Sequence, residues 1–337
     1  MTQHERMQPA LSVDGVSKHF PMQRGVMAAL RDWVTPAEPR LVRALDEVSL
    51  EVPRGRTVGI VGESGCGKST LARILAGLST PSAGTVRVNG RPFADYLRTP
   101  ADALKLQMIF QDPQSSLNPR MKVIDIIGEA PVVHGLVAAS ERRAYVAKLL
   151  AQVGLSQEFI DRYPHQFSGG QRQRIGIARA LAVKPEVLIC DESVAALDVS
   201  VQAQIINLLM DIRRDIGLTM LFISHDLSVV RHICEEVVVM YLGRVVETGA
   251  TEQIFHSPRH PYTRMLLEGM PKITTERRDF LAIEGVIPSP LNPPSGCHFH
   301  PRCAFRTAEC DRQRPPLERL PDDRRVACLN WRTIPDA

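Results

Sequence analysis

The sequence predicts an α/β fold with a parallel sheet, because runs that suit buried strands alternate with helical patterns. A short β-rich run, Thr57–Val61, leads through a glycine-rich loop into the helical apolar spacing of residues 71–78. Residues 185–189 and 218–223 are predominantly apolar runs. Such runs are typical of strands buried on both faces of a parallel sheet.

The length and composition are those of an ordinary globular protein. The chain has 337 residues, of which 44% are apolar and 23% charged, so it fits one large domain or two smaller ones. The net charge is only +4, and residues 271–337 carry 11 Lys and Arg against 9 Asp and Glu. Because there is no basic block, nucleic acid is not expected as a partner.

Targeting signals are absent from the pattern of the chain. No window approaches the roughly 18 consecutive apolar residues that a membrane-spanning helix needs, and residues 1–10 do not resemble a secretory signal. We therefore expect a cytoplasmic protein, in which thiols stay reduced.

Residues 1–270 are expected to form the α/β domain. Alternating patterns at 11–16 and 44–52 predict two antiparallel strands, and the segment 22–40 between them suggests a short helix and a loop whose role is not readable. Helical patterns at about 112–171 predict an inserted subdomain of helices.

The segment 62–69 matches the pattern G-x-x-x-x-G-K-[ST], which predicts a phosphate-binding loop. Glycines let backbone N–H groups form a concave donor nest at the positive end of the following helix. Lys68 would reach the β- and γ-phosphates of a nucleoside triphosphate, and the Ser69 hydroxyl would complete the shell of a Mg²⁺ ion. The alternative is an accidental glycine loop, which its position between a strand and a helix disfavours. The residues expected at the nucleotide are Gly62, Glu63, Ser64, Gly65, Cys66, Gly67, Lys68, Ser69 and Thr70.

Two adjacent carboxylates, Asp191 and Glu192, follow the apolar run 187–190. A carboxylate at the carboxyl end of a strand beside a phosphate-binding loop can hold Mg²⁺ through water, which is the role expected of Asp191. Glu192 is placed to accept the proton of an attacking water, the role of a general base. An Asp-Glu pair alone is more often a solvated turn, but the phosphate-binding loop in the same chain favours the catalytic interpretation.

A third motif makes the family specific. Ser168, Gly169, Gly170 and Gln171 open a helical pattern between the phosphate-binding loop and the Asp-Glu pair. In this order the three motifs resemble those of ATP-binding cassette (ABC) ATPases, over roughly residues 11–248. The resemblance implies that two cassettes dimerise head to tail, with residues 168–171 facing the γ-phosphate of the ATP held by the partner cassette. The alternative is a glycine turn that only caps a helix.

The resemblance also assigns residues outside these motifs. Gln111 resembles the glutamine that contacts Mg²⁺ and the attacking water and begins the loop facing the membrane subunits. His225 resembles the histidine that bonds the γ-phosphate, and Phe20 the ring that stacks on adenine. Asp198 resembles part of a loop at the dimer interface, where Ala195 replaces the usual serine. The implied Mg²⁺ ligands are Ser69, Gln111 and Asp191.

Within the ABC ATPases, five segments are similar to dipeptide and oligopeptide importers: 110–113, 116–120, 163–166, 260–263 and the tail that begins at 296. This implies the second ATPase subunit of such an importer, at the cytoplasmic face of the membrane. Its implied partners are two transmembrane permease subunits, a related ATPase subunit and, indirectly, an extracytoplasmic peptide-binding protein. A homodimer is the alternative to the heterodimer, and nickel or another small solute is the alternative cargo.

The C-terminal extension, residues 271–337, contains Cys297, Cys303, Cys310 and Cys328. Four clustered thiols in a reducing compartment most often bind metal, and a Cys₄ set suits either zinc or an iron–sulfur cluster. The resemblance to peptide-importer ATPases favours a [4Fe–4S] cluster over Zn²⁺. Four cysteines without a ligand are the third possibility.

The sequence thus predicts a P-loop NTPase of the ABC type, with inserted helices and a small Cys₄ extension, that hydrolyses ATP to power the import of short peptides. One alternative is a non-transport ABC ATPase acting on ribosomes or DNA, whose chains commonly carry two cassettes or a long coiled coil. This chain has one phosphate-binding loop and no sustained heptads. A regulatory ATP-binding module is disfavoured by Glu192, because binding alone needs no general base.

Overall fold

A computed structural model describes residues 8–22, 41–112, 116–194, 197–270 and 286–334. The helix and loop expected in the segment 22–40, and Ala195, lie outside the described residues.

Strands and helices alternate along the described chain. The strands are β1 (Leu11–Pro21), β2 (Leu41–Val52), β3 (Thr57–Val61), β4 (Ala83–Val88), β5 (Arg91–Pro92), β6 (Leu106–Ile109), β7 (Val187–Asp191), β8 (Thr219–Ile223), β9 (Glu236–Tyr241), β10 (Arg244–Ala250), β11 (Glu318–Arg319) and β12 (Arg325–Val326). The α-helices are α1 (Lys68–Leu75), α2 (Phe93–Arg98), α3 (Pro100–Ala103), α4 (Val123–Val133), α5 (Arg142–Gln152), α6 (Gly169–Leu181), α7 (Val199–Ile216), α8 (Leu227–Ile233), α9 (Thr251–His256) and α10 (Pro261–Glu268). Short 3-10 helices occupy Ala139–Glu141, Gln157–Asp161, Pro164–Gln166 and His300–Arg302. Within the described ranges, no helix combines the length and apolar character that crossing a bilayer requires.

The chain folds into two compact units. The first comprises Met1–Ser12, Glu51–Gly59 and Arg87–Glu235, and the second comprises Val13–Leu50, Ile60–Val86 and Glu236–Ala337. The predicted phosphate-binding loop therefore belongs to the second unit, whereas Glu192 and the helices of the predicted insertion belong to the first.

The first unit contains the parallel strands β6, β7 and β8, which lie side by side in that order. Ile109 pairs with Cys190, and Asp191 pairs with Ile223. Every residue of β7 and β8 is buried, as expected for strands covered on both faces. The prediction of parallel strands from the apolar runs at 185–189 and 218–223 is confirmed.

Helices α4 and α5 occupy the stretch predicted as an insertion of helices, and they pack against each other. Val123 and Ile127 in α4 and Val146 and Leu150 in α5 are fully buried. In each helix these two residues are four positions apart, so they lie on one face. This apolar stripe is what holds the pair together.

The second unit contains an antiparallel sheet in the order β11, β12, β10, β9. Most of β1, β2 and β4 also belongs to this unit, where β1 lies between the other two strands. The strands predicted at 11–16 and 44–52 are present but longer. The extra residues of β1, such as Lys18 and His19, are polar or partly exposed, so the apolar alternation does not mark them.

Candidate active site

Three polar side chains meet where the parallel strands of the first unit end. Gln111 follows β6 by two residues, Glu192 follows β7 directly, and His225 follows β8 by two residues. Nε2 of Gln111 donates a hydrogen bond to Oε2 of Glu192 over 2.6 Å. Nδ1 of His225 lies 3.4 Å from Oε1 of the same carboxylate. Because the carboxyl ends of parallel strands share one edge of the sheet, the fold brings together residues far apart in the sequence.

The backbone of Glu192 has an uncommon conformation. Its φ is 45°, in the left-handed region that residues other than glycine rarely occupy. Its N–H donates to the carbonyl oxygen of Ile223 over 3.0 Å, which continues the hydrogen bonding between β7 and β8 by one residue. Backbone strain of this kind costs about 1–3 kcal/mol and persists only where the surroundings enforce it. The sheet therefore determines where this carboxylate points.

Asp191 and Glu192 differ in their exposure. Asp191 is 6% exposed at the end of β7, and the side chain of Glu192 is 17% exposed. Asp191 belongs to the extended strand, whereas Glu192 lies beyond it in the left-handed region, so the two carboxylates have different surroundings. One buried and one accessible carboxylate suit two different tasks, such as holding a cation and reaching water.

The phosphate-binding loop in the second unit requires glycine at two close approaches. Gly62 has a φ of 152°, and a Cβ there would lie 2.2 Å from the carbonyl oxygen of Met240. Gly67 has a φ of 110°, and a Cβ there would lie 2.5 Å from the carbonyl oxygen of Ala44. No L-side chain fits at either position. A Cβ on Gly65 would instead meet nothing within 4 Å, so this side of the loop is open.

The ammonium group of Lys68 lies against the same loop. Its Nζ donates to the carbonyl oxygens of Gly62 over 2.8 Å and Glu63 over 3.1 Å. Lys68 is also the first residue of α1, so the lysine charge and the positive end of the helix come together. Ser69 and Thr70 follow in the first turn. An open glycine loop with these two sources of positive potential fits a polyphosphate.

The predicted signature motif forms the start of α6 in the first unit. Ser168 is the N-cap residue, and its Oγ accepts a hydrogen bond from the N–H of Gln171 over 3.4 Å. The side chain of Gln171 accepts in return from the N–H of Ser168 over 3.0 Å, completing a capping box. A Cβ on Gly170 would lie 2.4 Å from Val201, whereas Gly169 has only ordinary contacts. The motif thus forms a capped helix start. That it binds a nucleotide held by a partner cassette stays a prediction.

Two further predicted contacts lie at element ends. Phe20 is near the end of β1 and 41% exposed, with Nζ of Lys18 5.1 Å from its ring centroid. An exposed ring beside a cation is able to stack on a base. Asp198 is the N-cap residue of α7, although its side chain makes no capping hydrogen bond.

The second unit also contains contacts to the phosphate-binding loop that sequence reasoning missed. Arg302 donates two hydrogen bonds to the carboxylate of Glu63, and the hydroxyl of Tyr262 accepts one from the N–H of Glu63. Arg302 is one of many arginines in the extension, and no motif singles it out. Only the fold reveals this contact.

The four cysteines of the extension line one small cavity, together with aromatic and polar residues such as His260, Phe299 and Asn330. Burial is the main reason that the pKa of the Cys303 thiol rises to about 11 and that of Cys328 to about 12. Without a cation to displace their protons, these two groups are thiols at neutral pH.

The four cysteines share this cavity without forming a closed set of metal ligands. Over the part of the chain that the structure describes, no group of three or more His, Cys, Asp or Glu side chains is placed to hold a metal ion. Zinc would draw four sulfurs to about 2.3 Å from one centre. A shared cavity is therefore weaker support for a metal site than a closed set of ligands would be.

Two protein families match the chain. The ABC transporter family matches residues 45–195, and the oligopeptide/dipeptide transporter C-terminal region matches residues 246–310.

The chain is also similar to characterised proteins over nearly its whole length. It is 47% identical to the dipeptide transport ATP-binding protein DppF of Haemophilus influenzae, over 96% of this chain and 97% of that one. It is 44% identical to the oligopeptide transport ATP-binding protein OppF of Salmonella typhimurium, over 93% and 94%.

Solved structures share the fold. A dimeric post-hydrolysis structure of the ATP-binding cassette MJ0796 bound to ADP and Pi has a TM-score of 0.61 and 28% identity, over 72% of this chain and 98% of that one. CbiO1 of Clostridium perfringens, part of an ABC transporter complex, has a TM-score of 0.60 and 26% identity, over 74% and 91%. The fold predicted from the sequence is confirmed.

Proposed function

Since this chain belongs to the ABC transporter ATP-binding proteins, in the group of the dipeptide and oligopeptide transporters, we propose that it hydrolyses ATP to power the import of short peptides. The observation that carries the proposal is the convergence of Gln111, Glu192 and His225 in a chain with a glycine-built phosphate loop. The peptide cargo is supported by the match of residues 246–310 to the C-terminal region of such transporters.

The roles of the site residues follow from their chemistry. Glu192 accepts the proton of the attacking water, and Gln111 and His225 hold its carboxylate in place. Lys68 exchanges its bonds to the loop carbonyls for bonds to the phosphates. When bound, Mg²⁺ neutralises charge on the phosphates; Ser69, Asp191 and Gln111 are the oxygen donors assigned to it.

Nucleotide-driven association of two cassettes supplies the mechanical step. Residues 168–171 form the capped start of a helix, whose positive end suits the γ-phosphate of a nucleotide in the partner. Phe20 and Asp198 are assigned to the adenine and to the cassette interface. The related cassette MJ0796 is dimeric with ADP and Pi. We assign this chain to a heterodimer with a second ATPase subunit, with a homodimer as the alternative.

The assembly would place this chain on the cytoplasmic face of the cell membrane. There, the region after Gln111 would contact two transmembrane permease subunits, and a peptide-binding protein outside the membrane would deliver the cargo. DppF and OppF are transport ATP-binding proteins by name, which supports this set of partners.

Reconstitution tests the function. The chain is combined with its permeases, second ATPase and binding protein in proteoliposomes, and uptake of a labelled dipeptide is measured. ATP-dependent uptake that disappears with Glu192→Gln is expected. Uptake of Ni²⁺ but not of peptides would show that the cargo is Ni²⁺. Association with ribosomes in place of permeases would show that the chain is not a transport ATPase.

We also assign a [4Fe–4S] cluster to Cys297, Cys303, Cys310 and Cys328, with Zn²⁺ as the alternative. The four thiols line one cavity, and thiolate sulfur is the ligand that iron–sulfur clusters take. When bound, the cluster would hold the extension in its fold.

Colour and metal content test this assignment. Protein purified without oxygen is expected to be brown, with broad absorption near roughly 400 nm and about four irons per chain. Cys303→Ser should bleach it. Colourless protein with one equivalent of zinc would establish the alternative, and metal-free protein with a protease-resistant extension would contradict both.

A further inference from the structure

We propose that Arg302, in the C-terminal extension, is a positioning residue for nucleotide binding that neutralises Glu63 and fixes the entry to the phosphate-binding loop. The proposal rests on the assignment of residues 62–70 as the nucleotide site. Through this contact the C-terminal extension affects ATP affinity directly.

The contact is a two-pronged ion pair. Nη1 of Arg302 donates to Oε2 of Glu63 over 2.8 Å, and Nη2 donates to Oε1 over 2.9 Å. The Arg302 side chain is 2% exposed and that of Glu63 is 13% exposed. Paired geometry with little solvent makes this a strong contact of its kind. It joins positions 239 residues apart in the sequence.

Aromatic residues fix the guanidinium and the loop together. The Arg302 guanidinium carbon lies 5.8 Å from the ring centroid of Tyr241 and 5.9 Å from that of Phe299. The hydroxyl of Tyr262 accepts a hydrogen bond from the N–H of Glu63 over 2.8 Å. Glu63 is therefore held by its backbone and by its carboxylate, and its conformation cannot drift independently of the extension.

Glu63 occupies a sensitive position for an anionic ligand. Its carbonyl oxygen accepts a hydrogen bond from Lys68, so a shift of Glu63 would displace the lysine that faces the phosphates. Its carboxylate is a negative charge within a loop that must bind the several negative charges of a polyphosphate. Paired with Arg302, the residue contributes almost no net charge; unpaired, it would repel a polyphosphate.

The arginine also belongs to the segment that contains the cysteines. Arg302 ends the 3-10 helix His300–Arg302, and the N–H of the next residue, Cys303, donates to the carbonyl oxygen of His300 over 3.2 Å. His300 and Cys303 both line the cysteine cavity. Whatever orders this segment therefore also sets the position of the guanidinium.

The proposal is tested by MgATP affinity, measured by titration calorimetry on the full chain in a Glu192→Gln background so that hydrolysis does not intervene. Arg302→Met is expected to weaken binding about tenfold, the effect of one partly screened charge near the phosphates. Adding Glu63→Gln to Arg302→Met should restore most of the affinity, because the unpaired carboxylate is then removed. A general loss of structure in the extension would not be rescued in this way.

Arg324→Met is the matched control, because Arg324 is an equally buried arginine of the extension, 4% exposed and bonded to Asp322. It should leave ATP affinity within about twofold of the parent. Arg302→Lys keeps the positive charge but cannot make the two-pronged contact, so it should give an intermediate ATP affinity. This variant tests the proposal if Arg302→Met does not fold.

The results of these variants decide the proposal. Unchanged affinity in Arg302→Met, or a loss that Glu63→Gln does not rescue, would overturn the proposal. Lys68→Ala provides the reference. If it leaves ATP affinity unchanged, the nucleotide site itself is misassigned; if it weakens binding while Arg302→Met does not, only the role of Arg302 is wrong.

Discussion

Glu192 combines a strained backbone with two polar contacts to one carboxylate, from Gln111 and His225. We predict that Glu192→Gln lowers the rate of ATP hydrolysis by at least about a hundredfold, because the amide keeps the shape but cannot accept a proton. ATP affinity should stay within about twofold. Phosphate release and equilibrium nucleotide binding measure the two effects. Glu158→Gln, at an exposed position, is the control, and hydrolysis within about tenfold of the parent would remove Glu192 as the base.

Lys68 is predicted to act on binding. In Lys68→Ala a buried cation is lost from the phosphate-binding loop, and the carbonyl oxygens of Gly62 and Glu63 lose their donor. ATP affinity should fall by about a hundredfold, the loss of a charge-assisted contact to phosphate. Titration with a fluorescent nucleotide measures this. Lys148→Ala, on α5, is the surface control, and unchanged affinity in Lys68→Ala would contradict the assignment of the loop.

Single residues were predictable from sequence where chemistry and spacing combine. Lys68 and Glu192 stand out because a glycine pattern and a strand end mark them. Arg302 does not, since its partner Glu63 is remote in the sequence and Arg302 itself belongs to no motif. The left-handed φ of Glu192 was not predictable either, because it results from the pairing of β7 with β8 and not from a preference of glutamate.

At the scale of an element, α10 depends on the neutral form of one histidine. His260 is the N-cap residue, and its Nδ1 accepts a hydrogen bond from the N–H of Tyr262 over 3.0 Å. Burial lowers the pKa of His260 to about 3, below the value of about 6.5 in an unfolded chain. The unfolded state therefore binds the extra proton as the pH falls from about 6.5 towards 3, and stability is lost across that window.

We predict that His260→Asn flattens this dependence, because asparagine supplies a capping oxygen without titrating. Between pH 7 and pH 5 the free energy of unfolding of the parent should fall by about 2 kcal/mol more than that of the variant. Urea denaturation followed by circular dichroism measures both. His298, whose pKa burial lowers to about 4, contributes equally to the two proteins. Parallel pH profiles would contradict the prediction.

Elements were predictable where their own pattern is strong. The apolar runs that become β7 and β8 are recognisable without their partner strands, because burial on both faces makes nearly every residue apolar. The far half of β1 and the two-residue strands β11 and β12 are formed by pairing with neighbours. Sequence periodicity over so few residues carries no signal for them.

At the scale of the whole molecule, the order of three motifs identified the family. Relatives that align with more than 90% of the chain agree with this identification. Which cysteine ligand the extension holds was not decided by spacing, because zinc and iron–sulfur sites use the same thiolates. The structure adds that the four cysteines line one cavity, and the identity of a bound group stays a prediction.

The last prediction concerns the assembly of two chains. If residues 168–171 bind a nucleotide held by a second copy, as in the homodimer alternative, Glu192→Gln protein should shift from monomer to dimer when MgATP is added, because the unhydrolysed nucleotide keeps the interface closed. Light scattering after size exclusion measures the mass. Ser168→Arg should abolish the shift by placing a long side chain at the helix start. Ser156→Arg is the control, since Ser156 also caps a helix, accepting from the N–H of Glu158, but lies outside the motif. A monomer at saturating MgATP would contradict association of two identical copies, and dimerisation of Ser168→Arg would remove the motif from the interface.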